Sequence, residues 1–106
     1  MLTFIGDPHG DLSFAFQVAQ SQQPDALILL GDQCPEEPLD QILAPFPCPV
    51  FYILGNHDSD RPHWLENHFP AWEQNIGLQT TAIAGVRIAA LPGAFRGKVW
   101  MPDGAP

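Results

Sequence analysis

Residues 50–58 read Val50-Phe51-Tyr52-Ile53-Leu54-Gly55-Asn56-His57-Asp58. Five consecutive apolar or aromatic residues describe a buried strand. A glycine stops the run, and three residues able to bind a metal or carry a proton follow at once. A strand interior has no use for Asn-His-Asp, and an ordinary turn needs no histidine there. The design occurs twice earlier in the chain. Leu2-Thr3-Phe4-Ile5-Gly6 leads into Asp7-Pro8-His9, and Ala26-Leu27-Ile28-Leu29-Leu30-Gly31 leads into Asp32. Three apolar runs thus end in Gly and then Asp or Asn.

Between these runs lie helical signals. Asp11 is suited to cap a helix. Leu12, Ala15, Phe16 and Ala19 fall on one face of that helix, beside a stripe of Phe14 and Val18, with the aromatics read as core, and it stops near Gln22–Gln23 before Pro24. Its N-terminus should lie beside the Asp7/His9 loop, where helix amides favour an anion. Five prolines (35, 38, 45, 47 and 49) leave room for only a short second helix near Glu37–Ala44. Strand, helix, strand, short helix, strand is a βαβαβ pattern, which predicts an α/β fold with a parallel sheet and right-handed crossovers. Continuous apolar runs suit strands buried on both faces. Ligands of such sheets bind outside the carboxyl ends of the strands. Asp7, His9, Asp32, Asn56 and His57 are therefore expected at one edge. Pro8 keeps the residue before it extended, so Asp7 and His9, two apart, should face the same side and can chelate one ion.

After Asp58 the signals are shorter. Asp60 to Asn67 suggests a helix capped by Asp60, with Pro62 in its first turn. Trp64, Phe69 and Trp72 read as a hydrophobic cluster, and His63 and His68 as surface or packing residues. Thr80–Ala84 and Val86–Leu91 around Gly85 read as a hairpin or meander. Phe95-Arg96-Gly97-Lys98 is either a phosphate-approach loop or a solvated turn.

The chain has 106 residues, enough for one small domain and one core. Apolar residues make up 45%, which excludes a disordered chain. No apolar stretch approaches the ~18 residues of a membrane span, and no signal peptide is recognisable, so a cytoplasmic location is expected. Twelve acidic and four basic residues give a net charge of −8, which argues against non-specific binding to nucleic acid or an anionic membrane. Cys34 and Cys48 are not spaced as a metal pair and are expected as reduced thiols.

Carboxylate, imidazole and amide ligands suit Mn, Fe or Zn. Two such ions roughly 3.5–4 Å apart, bridged by a carboxylate such as Asp32, can activate water and stabilise an in-line displacement. His57 beside Asp58 has the makings of an acid–base group steered by a carboxylate. This combination describes phosphoester hydrolysis.

Asp7-x-His9, Gly31-Asp32 and Gly55-Asn56-His57-Asp58, in that order and each after a strand, resemble the calcineurin-like metallophosphoesterase family. The resemblance covers residues 2–58 well and 80–98 loosely. It implies the βαβαβ parallel-sheet half of a metallophosphoesterase sandwich, followed by the hairpin, and a phosphoester substrate. It also implies two divalent ions, with Asp7 and His9 on the first, Asp32 bridging and Asn56 on the second. His57 would act on the phosphate or the leaving group. Asp32 is followed by Gln33-Cys34-Pro35, unlike the protein-phosphatase branch. The family's second-half histidines have no counterpart, because no histidine follows His68. Residues 1–106 are thus expected to be a single, incomplete domain, the N-terminal half of a longer enzyme, weak or inactive alone and prone to self-association through an unpaired sheet edge. A catalytically inactive scaffold for protein binding and a half-site completed by another chain are the alternatives.

Overall fold

The computed structural model describes residues 1–6 and 8–92. Three parallel strands, β1 (Leu2–Ile5), β2 (Ala26–Leu29) and β3 (Val50–Tyr52), lie in the order β1-β2-β3. The register pairs Leu2 with Ala26 and Leu27 with Val50, so the three carboxyl ends finish level. The expected α/β architecture with a parallel sheet is therefore present.

Alternation along the strands sends side chains to two different cores. Leu27, Leu29, Val50, Tyr52 and Leu54 face one side, where Leu12 at the N-cap of helix α1 (Ser13–Gln22), Ala15 and Ala19 within it, and Leu39 and Leu43 of helix α2 (Leu39–Leu43) cover them. Ala26 and Ile28 face the other side with Phe51 and Ile53, against Ile76, Ile83 and Ile88. That second layer is an antiparallel hairpin of β4 (Gln79–Ile83) and β5 (Val86–Ala90). Ala84 and Gly85 both have positive φ (51° and 79°). This is the two-residue hairpin turn whose twist matches the flanking strands. Helix α3 (Pro62–Glu66) and a 3₁₀ segment (Phe69–Gln74) connect β3 to the hairpin.

The departures from expectation have local causes. Only β2 is buried along its whole length; β1 is the edge, and Phe4 there is half exposed. Phe14 is 63% exposed, because the helix meets the sheet along the Leu12–Ala15–Ala19 line and Phe14 lies off it. Asp11 does not occupy the cap position expected of it: Leu12 is the N-cap of α1, without a side-chain cap bond, and Asp11 before it accepts the Ser13 backbone N–H at 3.0 Å. Of the expected Trp64, Phe69 and Trp72 cluster, Phe69 and Trp72 pack edge to face at 5.5 Å. Arg61 covers the Trp64 ring at 5.1 Å, and the indole N–H donates to Glu36 at 2.8 Å. The cap expected of Asp60 is not made: α3 starts without a side-chain cap, and the Asp60 carboxylate has another partner.

Candidate functional site

The loops that leave β2 and β3 interlock. Gly31 (φ 101°) lies so close to Gly55 that a Cβ there would come within 2.8 Å of the Gly55 Cα. A Cβ on Gly55 would overlap the Asp32 carboxylate and backbone amide. The two glycines that end the apolar runs thus let two chain segments touch at backbone distance.

The close approach brings side chains together. Asp32 Oδ1 accepts the His57 backbone N–H at 2.8 Å. His9 N–H donates to the Asp32 carbonyl at 2.8 Å, and Gly10 N–H to the Gln33 carbonyl at 2.8 Å. The His9 and His57 rings lie 5.7 Å apart between centroids. His9, Asp32 and His57 therefore meet at the carboxyl edge, and Asn56 is in the turn between Gly55 and His57. Asp7 lies outside the described residues, as does the Phe95–Lys98 segment. His9 (φ 48°) and Gly10 (φ 84°) both lie in the left-handed region, so the chain turns sharply here. His9 is turned onto the β2 loop by its hydrogen bond to Asp32.

The carboxylate on the His57 ring is Asp60, not Asp58. His57 Nδ1 lies 2.7 Å from Asp60 Oδ2, three residues on. Asp58 is fully buried and accepts three backbone N–H groups: Asp32 (2.9 Å) and Gly55 (2.8 Å) on Oδ2, and Cys34 (2.8 Å) on Oδ1. A carboxylate saturated in this way is held by charge-assisted bonds and points inward. The proposed steering of His57 by Asp58 thus gives way to Asp60, because the turn Gly55–Asp58 folds the Asp58 side chain under the β2 loop.

Behind Asp58 lies a second buried group. His68 is fully buried, with Nε2 3.7 Å from Asp58 Oδ1. Its Nδ1 is 2.8 Å from the Trp64 carbonyl, which only accepts, so Nδ1 carries the proton. Burial holds the His68 imidazole below its ordinary pKa, against the opposing pull of Asp58. Neutral Nε2 then accepts from Gln33 Nε2 at 3.3 Å, and the same amide donates to the Ile53 carbonyl at 3.0 Å. Gln33 Oε1 is left buried without a partner among the described residues. Such an orphan costs roughly 1–3 kcal/mol. Asp32 (φ 58°) and Cys34 (φ 45°) add backbone strain, roughly 1–3 kcal/mol each, which persists only where the surroundings over-determine it.

Cys34 is buried, and its thiol is pushed up to about 12 by burial and by the Asp58, Asp32, Asp60 and Glu36 carboxylates. It stays a thiol, not a nucleophile or a soft ligand. Both cysteines are free, as expected. His63, expected as a surface residue, pairs with Glu36 at 2.9 Å. The indole and His63 hydrogen bonds hold the Glu36 carboxyl below its usual range.

Residues 1–103 match the family model described as calcineurin-like phosphoesterase. The chain belongs to the calcineurin-like phosphoesterase family. A Haemophilus influenzae protein described as uncharacterized is 36% identical over 110 residues, covering 100% of this chain and 48% of its own length. The chain thus spans about half the length of that curated relative. No solved structure matches it. No helix among the described residues is long and apolar enough to cross a membrane.

Calcineurin-like phosphoesterases imply a two-metal centre, and the donor set here can be tested against it. Among the described residues, no group of three or more His, Cys, Asp or Glu side chains is arranged to hold a metal ion. Asp32 already accepts a backbone amide, and Asp58 is filled by three. His9, Asp32 and Asn56 are three of the four residues expected as ligands, and the fourth, Asp7, lies outside the described residues.

Sequence reasoning missed Asp60, Gln33 and the depth of His68. Asp60 had a signal, three residues after His57 within a turn. Gln33 and His68 had none, since 35 residues separate them in the chain.

Proposed function

We propose that residues 1–106 by themselves act as a non-hydrolysing calcineurin-like phosphoesterase module that binds another protein chain. The observation that carries this reading is the lack of a grouped set of metal-type side chains among the described residues. Asp58 is spent on three amides, and the described residues bring no three metal-type ligands together. Phe4 and Phe14, exposed beside the β1 edge, are apolar surface suited to a protein partner or a second copy. The test is a calorimetric titration of the 106-residue chain with Mn²⁺ and Zn²⁺, an aryl phosphate assay, and sizing. Weak or absent metal heat, no turnover and concentration-dependent association are expected. Two tight ions with robust turnover from a monomer would overturn the reading.

A second reading is favoured by the meeting of His9, Asp32 and His57 at the carboxyl edge. In it, a longer protein of which this is one part of a single domain hydrolyses phosphoesters with two divalent ions, Mn, Fe or Zn. Asp7, His9, Asp32 and Asn56 would be ligands, and His57, oriented by Asp60, would handle the proton at the leaving oxygen. In that longer protein, Asp32→Asn should lose both metal and turnover, whereas His57→Ala should lose turnover and keep most of the metal. Turnover surviving Asp32→Asn would sink this second reading.

A further inference from the structure

The Asp58 carboxylate is an internal anion in a nest of backbone N–H groups. Asp32 and Cys34, both left-handed, turn their amides to one side, and Gly55 adds a third amide from the other loop. Such concavities of successive amides bind anions. Here the anion is the chain's own, and it ties residues 32 and 34 to residue 55. Asp32 returns the bond by accepting from the His57 amide. Two carboxylates thus cross between the two loops in opposite directions. Each loop holds the backbone that presents the other's side chain.

We propose that Asp58 is a positioning residue: its carboxylate sets the placement of Asp32 relative to His57, with His68 and Gln33 wedged behind it. The wedge is directional. Nδ1 of His68 is anchored on the Trp64 carbonyl, and Nε2 receives Gln33, whose amide also ties to Ile53 at the end of β3. The Tyr52 hydroxyl donates to the His68 carbonyl at 3.2 Å, fixing the backbone of the wedge. Asp58 therefore has a wall on its far side and three donors on its near side, and its side chain has one position. Its task is to hold the loops in register, with no proton to move. The inference bears on the hydrolytic reading, because Asp32 and His57 are the groups it places, but the geometry can be measured without metal or substrate.

The experiment is amide NMR and hydrogen exchange on the metal-free 106-residue chain, with Asp58→Asn. Asparagine keeps the shape but turns one acceptor into a donor facing an N–H. The amides of Asp32, Cys34 and Gly55 should shift and exchange at least tenfold faster, and the nuclear Overhauser contacts between the His9 and His57 rings should weaken. The Leu27–Leu29 amides should lose protection by a clearly smaller factor, set by the overall loss of stability. Asp58→Ala with added formate is the complementary arm: formate should restore the three amides and the ring contacts, which no general loss of stability would do. If Asp58→Asn does not fold, His68→Phe should move the same three amides in the same direction by less. Unchanged ring contacts in a folded variant, or equal loss of protection in β2, would overturn the proposal. A Mn²⁺ titration of the wild-type sample reports separately on the hydrolytic reading, so failure there leaves the amide result to stand or fall alone.

Discussion

The carboxyl edge of the parallel sheet and the β4–β5 hairpin are both built from segments that double back on a glycine, yet they are held by different forces. At the edge, two loops meet at backbone distance, and buried charge fills the gap between them. The hairpin turns in open space, and Ile83 and Ile88 attach it to the sheet by apolar contact with Ile28 and Ile76. The edge is specified by shape and polar satisfaction, with little tolerance. The hairpin is specified by burial area, with more. Strain and an orphaned amide oxygen are found at the edge, in keeping with the tendency of local strain to gather at functional sites.

The contrast is most open to attack at the glycines. Gly55→Ala forces a Cβ into the Asp32 backbone, which cannot swing away, and should cost roughly 3 kcal/mol or more. Gly85→Ala meets no atom within 4 Å and pays only for a left-handed alanine at φ 79°, about 1 kcal/mol. Urea unfolding of both variants measures the difference. Equal midpoints would erase the distinction between the two turns.

Side-chain removal sharpens it. Asp58→Ala leaves two buried N–H groups and a part-buried one without their acceptor and should destabilise by about 3–5 kcal/mol, judged from the cost of stranding buried polar partners. Ile83→Ala removes buried methyl groups from the hairpin contact and should cost about 2–4 kcal/mol. Formate should recover part of the first loss and none of the second.

The pH response belongs to the edge as well. His68 is held below its ordinary 6.5 by burial, so the unfolded chain binds the proton more readily than the folded one. Stability should be full above about pH 6.5 and fall as pH drops from there toward the folded pKa. The slope is at most about 1.4 kcal/mol per pH unit for one proton. His68→Phe should flatten the unfolding midpoint between pH 7 and pH 5. A slope unchanged by that substitution would assign the response to another group.

The smallest effect is chemical. With its thiol pushed up to about 12, Cys34 should resist a disulfide reagent at pH 8 in the folded chain, while the less buried Cys48 reacts first. Rapid modification of Cys34 would mean that the β2 loop opens far more readily than its hydrogen bonds imply.

Most of the architecture was legible because it rests on period and punctuation. Apolar runs stopped by glycine marked β1, β2 and β3, and the spacing between them allowed only parallel pairing with helical crossovers. Gly85 marked the hairpin within a residue of its true strands, with Ala84 falling in the turn rather than in the first strand. The family motifs were legible for the same reason, since each follows a strand end. The burial of Phe14 was misjudged because periodicity gives a face and not the width of the contact. The partner of His57 was misjudged because Asp58 adjoins it in sequence, whereas the turn carries the Asp58 side chain inward and brings Asp60, three residues on, to the ring.

The sequence alone determined which residue types gather at the carboxyl edge, because strand ends in a parallel sheet must bring their following residues together. It also determined that the edge is acidic and imidazole-bearing. The tertiary structure decided what each carboxylate does. Asp32, Asp58 and Asp60 are alike in chemistry and close in position, yet one faces the meeting of His9 and His57, one is sealed under three amides, and one holds an imidazole. That division follows from the backbone path of two loops packed at glycine distance, a long-range contact that no local pattern encodes.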